Sequence, residues 1–179
     1  MLTNADSIHI PLADGVVQCV VTSPPYWGLR AYSGEQERVW GGAADCEHEW
    51  ETHRQAASGG RNTAENPPNT GGSSTQQAVP NPSRDGVTSS FCQRCGAWRG
   101  GLGLEPTPEM FIEHMVQVFR EVRRVMRDDG VAWLNMGDCF NDKQLVMAPH
   151  RLALALQADG WWVRSDSVWA KPNPMPESL

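Results

Sequence analysis

The sequence predicts an α/β fold, a parallel sheet with covering helices, on three observations. Residues 16–22 (VVQCVVT) and 131–136 (VAWLNM) are short runs, apolar on both faces, as expected of strands buried in a parallel sheet. The elements alternate as strand, insert, helix, strand, helix, strand, the pattern of helices packed on such a sheet. With 179 residues, 40% of them hydrophobic, the chain is long enough for one domain with a core and too short for two large ones.

Each element has a local cause. The first strand leaves the Asp14-Gly15 turn and ends in Ser23-Pro24-Pro25. Two prolines cannot continue a central ladder, so the backbone must leave the sheet there. The residues after Thr22 are thereby presented at a strand's C-terminal end, the edge where open α/β sheets bind ligands. Residues 56–90 are rich in Gly, Ser, Thr, Asn, Gln and Pro, with no aromatic residue and no apolar period; a disordered or long flexible loop is expected. Thr107-Pro108-Glu109 opens a helix with an N-cap hydroxyl, a proline at the first position and an acid in the first turn. Phe111, Met115, Val118, Val122 and Val125 form its apolar face, and Arg120, Arg123, Arg124 and Arg127 suit the negative end of its dipole. Asp128-Asp129-Gly130 is expected to stop it before the second strand. A shorter helix is predicted from Pro149 through Leu152, Leu154 and Leu156 to Asp159-Gly160. Residues 161–170 (WWVRSDSVWA) then read as extended, with two short strands meeting near Ser165-Asp166.

Fifteen basic residues against 21 acidic give a net charge of -6, which argues against a polybasic nucleic-acid binder. Any nucleic-acid role must come from a local site. The acidity is itself local, because six acids and only two Arg lie between Glu35 and Arg54. No run approaches the roughly 18 apolar residues of a membrane span, and the first residues lack a signal-peptide layout, so a soluble, cytoplasmic protein with no membrane partner is expected.

Of the five cysteines, Cys19 and Cys139 sit in apolar runs and are expected to be small buried thiols. The others pair differently. Cys46-x-His48 and Cys92-x-x-Cys95-Gly96 are two close-spaced pairs, each able to hold one side of a tetrahedral ion while the residues between them form a loop. Three thiolates and an imidazole in a reducing compartment favour Zn2+. Trp50, Phe91 and Trp98 would supply a small apolar cap, and His53 is an alternative fourth ligand. A redox-active Cys-x-x-Cys with a separate Cys46 is the other reading. His9, His114 and His150 have no carboxylate or nucleophile set beside them by the sequence, so a hydrolase triad has no support.

The remaining motif is Thr22-Ser23-Pro24-Pro25-Tyr26-Trp27 at the end of the first strand. Here the chain resembles the amino-group DNA methyltransferases, which modify N4 of cytosine or N6 of adenine through a Ser or Asp followed by Pro-Pro and an aromatic residue. The similarity extends to Asn4-Ala5-Asp6-Ser7, the helix-turn-strand at residues 123–138, residues 156–162 (LQADGWW) and residues 169–174 (WAKPNP). It implies a partial Rossmann-like methyltransferase sheet, with residues 1–34 as catalytic strand and loop and 104–179 as the rest of the core, while 35–103 form an insert that the Cys/His spacing reads as a zinc knuckle.

That resemblance also implies roles. Ser23, Pro24, Pro25 and Tyr26 would be catalytic. Asp6 and Thr22 would lie toward S-adenosylmethionine, and Trp27, Arg30, Lys171 and Asn173 toward double-stranded DNA. The chemistry explains the residue types: an exocyclic amine is a poor nucleophile because its lone pair is conjugated into the ring. Hydrogen bonds from the amine to the Ser23 hydroxyl and the Pro24 carbonyl would draw the nitrogen toward tetrahedral geometry, and Tyr26 offers a face for a flipped-out base. Ser at the first position favours cytosine N4 over adenine N6. A phage or bacterial setting is implied as well.

One family feature has no counterpart. The Asp-Pro-Phe-x-Gly-x-Gly segment that usually cradles the cofactor is missing, and Gly100-Gly101-Leu102-Gly103 comes after the knuckle instead of a buried strand. Two readings are open: a methyltransferase portion, either a truncated product or a split enzyme whose cofactor loop and target recognition come from a second polypeptide, or an inactive remnant whose knuckle and basic helix end bind DNA or a protein partner. For the first, an unpaired sheet edge and bare apolar surface predict self-association or poor solubility of the isolated chain.

Overall fold

The computed structural model describes residues 4–28, 37–54 and 88–173, with backbone alone for 51–54 and 88–90. Its elements are β1 (Val17–Thr22), β2 (Arg38–Trp40), β3 (Trp50–Arg54), β4 (Thr88–Cys92), β5 (Trp98–Gly100), α1 (Pro108–Val125), β6 (Met126–Leu134), β7 (Phe140–Asn141), β8 (Gln144–Leu145) and α2 (Ala148–Ala158). They form two units, Met1–Trp27 with Thr107–Leu179, and Gly28–Pro106.

In the first unit β1 pairs in parallel with β6, as the α/β expectation requires. α1 begins as its sequence dictates: the Thr107 side chain accepts a hydrogen bond from the Met110 N–H at 3.3 Å, and Pro108 occupies the first turn. Its apolar face packs on α2, where Phe111, Met115 and Leu152 are fully buried. His114, at the margin of that face by sequence, is buried on it as well. Beyond suiting the helix dipole, the arginines grip neighbours: Arg120 and Arg123 donate to Asp159 at the end of α2, at 2.7 and 3.0 Å. Arg124 donates to Glu121, Asp14 and the carbonyls of Ile10 and Leu12, which pins the segment leading into β1.

Three sequence expectations are corrected here. The helix ends at Val125, ahead of Asp128-Asp129-Gly130, and the chain passes directly into β6. The Gly15 and Val16 N–H groups donate to the Arg124 and Val125 carbonyls at 3.0 and 2.9 Å, so the incoming strand satisfies the carbonyls that a longer helix would have used. Residues 127–130 become a bulge, since Val17 faces Met126 while Cys19 already faces Val131. Next, the paired strands are not buried on both faces. Cys19 and Val21 on β1 lie beside Val131 and Trp133 on β6, and this whole face is exposed, Val21 at 77% and Trp133 at 57%. Cys19 is therefore an exposed thiol and Cys139 a half-buried one. Finally, residues 161–170 form no strand; no described neighbour offers them a ladder, and Trp162, Val168 and Trp169 are exposed.

α2 spans the residues expected for it, but its N-terminus is capped from a distance. Met147 makes no side-chain cap, and the Asp138 carboxylate instead accepts from the Ala148 N–H at 3.1 Å.

The second unit is a four-stranded antiparallel sheet in the order β2-β5-β4-β3. Its described core is small: Trp40, Cys92, Ala97 and Trp98 are its buried apolar residues, with the Glu105 carboxylate buried and accepting from the Gly103 N–H at 2.8 Å. The flexible loop expected at 56–90 lies outside the described residues except for Thr88, Ser89 and Ser90. These belong to β4, where pairing with β3 satisfies a polar backbone that has no apolar period of its own.

Candidate active site and metal centre

β1 and β6 end side by side, with Thr22 opposite Leu134 and the Thr22 carbonyl accepting from the Asn135 N–H at 2.9 Å. That pairing sets the Ser23-Pro24-Pro25-Tyr26 loop against the residues just after β6. The Ser23 hydroxyl lies 3.1 Å from the Tyr26 hydroxyl, and the Asn135 amide donates to the Tyr26 hydroxyl at 3.1 Å and, more weakly, to the Ser23 hydroxyl at 3.4 Å. Gly137 completes the arrangement, because a methyl group on it would come within 2.9 Å of two Tyr26 ring carbons. The ring is thus seated on glycine backbone and held at its hydroxyl end.

Of the other residues expected here, Pro24, Pro25 and Trp27 are half-buried in the same loop. Arg30 lies outside the described residues. Lys171 and Asn173 are exposed in the coil beyond α2. Asp6 caps its own turn, accepting from the Ile8 N–H at 3.2 Å and standing 3.9 Å from His9. His150 similarly stands 3.8 Å from Asp166, so both histidines have a carboxylate that the sequence did not set beside them; both pairs are exposed and carry no nucleophile. Asn135 was missed by sequence reasoning. Its only mark was its place at the end of a strand that runs beside β1.

In the second unit, Cys46, His48, Cys92 and Cys95 converge, with their ligand atoms all within 4.8 Å of one another. The Cys46 and Cys92 sulfurs are 3.9 Å apart, and the Cys95 sulfur is 3.4 Å from His48 Nδ1. Burial pushes the Cys46 thiol up to about 11, with its neighbours Cys95 and Cys92 adding to the effect. Burial acts the same way on Cys92, but N–H groups of Cys95, Arg94 and Glu49 and the His48 ring outweigh it and bring that thiol down to about 5. Cys95 is lowered by the Ala97 and Ala43 backbone, and hydrogen bonding to Cys92 raises His48. The expected aromatic cap is present: the Trp50 ring lies 4.8 Å from the His48 ring, and Trp98 is buried opposite Phe91.

A family model described as DNA methylase, covering the N6 and N4 enzymes, matches residues 17–179. The chain belongs to the amino-group DNA methyltransferase family. It is 30% identical over 197 residues to the type II methyltransferase M.XycI of Xanthomonas campestris pv. cyanopsidis, and 28% over 205 residues to M.Cfr9I of Citrobacter freundii. These alignments cover 94% and 98% of this chain but 44% and 47% of the relatives. A shorter stretch of 95 residues is 45% identical to M.SfiI of Streptomyces fimbriatus. The chain therefore spans less than half the length of the curated relatives it matches along its length. No solved structure matches it.

At the end of the strand pair, the described residues place hydroxyl and amide groups of Ser23, Tyr26 and Asn135 together. The space over Gly137 is filled by the Tyr26 ring, and the Asp6 carboxylate accepts from the backbone two residues on. Among the described residues, no helix is long and apolar enough to cross a membrane.

Proposed function

We propose that this chain supplies the target-amine site of a DNA methyltransferase acting on a base flipped out of duplex DNA, with N4 of cytosine favoured over N6 of adenine. The observation that carries the reading is the hydrogen-bonded set Ser23, Tyr26 and Asn135 at the C-terminal end of the parallel strand pair. With the Ser23 hydroxyl donating to the Tyr26 oxygen and accepting only the long contact from Asn135, the Ser23 oxygen keeps one lone pair free to accept from the exocyclic amine. Together with the Pro24 carbonyl, it would hold the amine nitrogen tetrahedral and its lone pair out of conjugation. Pro24 and Pro25 lack N–H groups that could compete and keep the loop stiff, so the acceptors are aimed before the base arrives.

The donor we assign is S-adenosylmethionine, with its glycine loop and target recognition supplied outside the described residues, in a longer form of this chain or in a second polypeptide. Trp27, Arg30, Lys171 and Asn173 are the proposed DNA contacts, and a bacterial or phage-infected cytoplasm the proposed setting. The test is transfer of labelled methyl from S-adenosylmethionine to duplexes lacking either cytosine or adenine. It uses the full chain alone and mixed with the polypeptide encoded directly downstream. Label in cytosine-containing duplex, abolished by Ser23→Ala, is expected; label only in adenine overturns the base assignment. Absence of label and of cofactor binding in both arms overturns the activity and favours a DNA- or protein-binding module.

A further inference from the structure

We infer that Cys46, His48, Cys92 and Cys95 hold one structural Zn2+, with His48 bound through Nδ1, and that this ion is the folding staple of the Gly28–Pro106 unit. Two of the contacts match the edges of a zinc tetrahedron, and all four ligand atoms lie within 4.8 Å of one another. Zn–S bonds of about 2.3 Å and Zn–N bonds of about 2.0–2.1 Å place neighbouring sulfurs roughly 3.8 Å apart and sulfur and nitrogen roughly 3.6 Å apart. The structure has 3.9 Å between Cys46 and Cys92 and 3.4 Å between Cys95 and His48 Nδ1. Four protein ligands close the coordination sphere, so the site is structural and leaves no position for a reacting water. Three soft sulfurs and an imidazole select zinc over magnesium or calcium.

The surrounding backbone is shaped for the cluster. Gly42 has φ +78°, and a Cβ there would stand 2.8 Å from the Cys95 sulfur and 2.6 Å from the Ala97 methyl. Gly96, with φ +74°, closes the Cys-x-x-Cys turn by donating to the Cys92 carbonyl at 2.9 Å. The need for an ion comes from the size of the core. Trp40, Cys92, Ala97 and Trp98 are the buried apolar residues among those described in this unit, and one of them is a ligand. Among the described residues so small an apolar core gives a four-stranded sheet little support, and small domains of this kind fold when a metal crosslinks them. Here the ion ties the segment before β3 to the β4–β5 turn. On binding, each protonated thiol releases its proton to solvent, and no electron is transferred.

The test is metal analysis of the full chain purified under reducing conditions without added metal. About one zinc per chain is expected, together with loss of zinc from a Cys92→Ser, Cys95→Ser variant and its retention by Cys19→Ser. Cobalt exchanged into the parent protein should give the intense visible bands of a tetrahedral thiolate site. Gly42→Ala keeps every ligand yet should bind zinc about 10–100-fold more weakly. Chelation of the parent should change its tryptophan fluorescence reversibly, which guards against variants that fail to fold. Metal-free parent protein with free thiols, a Cys46–Cys92 disulfide under the same conditions, or zinc retained by the double variant would each overturn the inference. None of these readouts uses methyl transfer, so this inference and the proposed activity fail separately.

Discussion

Gly137→Ala isolates the seat of the Tyr26 ring from the residues that would touch substrate. Gly137 does not need a left-handed backbone, so alanine brings no conformational strain of its own. Its methyl group would stand 2.9 Å from Tyr26 Cδ2 and Cε2. Carbon atoms pack at about 3.5–4.0 Å, so the ring must retreat by roughly 0.6–1 Å. The ring cannot do this freely, because its hydroxyl is held at 3.1 Å by both Ser23 and Asn135. A displacement of that size carries those contacts past hydrogen-bonding distance. Misplacement of about 1 Å beside a reacting group lowers a rate on the order of 100-fold, and overpacking costs about 1–3 kcal/mol of stability. The assay is single-turnover methyl transfer in the complemented system, with thermal denaturation of the same samples. Tyr26→Phe keeps the ring and removes the hydroxyl; because it acts on the same contacts, its effect and that of Gly137→Ala should be less than additive. A Gly137→Ala protein with the parent's rate would refute the coupling of ring position to the Ser23 acceptor.

Three other outcomes are expected of the same unit. Leu152→Ala empties a fully buried position between α2 and α1 and should cost about 2–5 kcal/mol in chemical denaturation; a change under 1 kcal/mol (about a fivefold change in the folding equilibrium) would contradict that packing. Hydrogen bonds from Arg124 hold the Glu121 carboxyl down at about 2, against an ordinary value of 4.5. A carboxyl depressed on folding contributes stability that is complete above pH 4.5 and is lost as pH falls toward 2. Glu121→Gln should therefore flatten the acid limb of the stability profile over that window, and an unchanged limb would remove Glu121 from the account. The bare face of Val21, Val131 and Trp133, with Trp162, Val168 and Trp169 exposed beyond it, should make the isolated chain associate with rising concentration. A monodisperse monomer in light scattering would count against this.

What was legible in the sequence was whatever chemistry repeats at short range. The 3.6-residue period from Phe111 to Val125 and the Thr107-Pro108 start specify α1 without tertiary help, and the structure has the helix from Pro108 to Val125. The paired spacings of Cys46 with His48 and of Cys92 with Cys95 already contained the cluster, since each pair is fixed by one turn and only the joining of the pairs needed the sheet. Asn135 was illegible for the opposite reason. It reaches Ser23 and Tyr26 across a parallel pairing whose register is set by residues more than a hundred positions away, and an asparagine after a strand carries no period or spacing. The end of α1 was misread because the carbonyls that close it are satisfied by Gly15 and Val16, not by a local cap.

The strands themselves carry the more consequential mismatch. Val20, Val21, Ala132 and Trp133 are apolar on both sides of the sheet, the pattern of strands with cover above and below, yet the described residues cover only the side of Val20 and Ala132. Selection for buried side chains acts on the assembled sheet, so an apolar residue left at 77% exposure, as Val21 is, points to a surface built to be covered. The curated relatives, more than twice as long as the stretch they share with this chain, contain additional residues that could do so. On the proposed reading, the same additional portion would bring the methyl donor to the edge where Ser23 stands. Cover for the β1–β6 face and a donor for the Ser23 amine site then become one requirement, which predicts that a polypeptide restoring methyl transfer also suppresses self-association. Restoration of one without the other would separate the two.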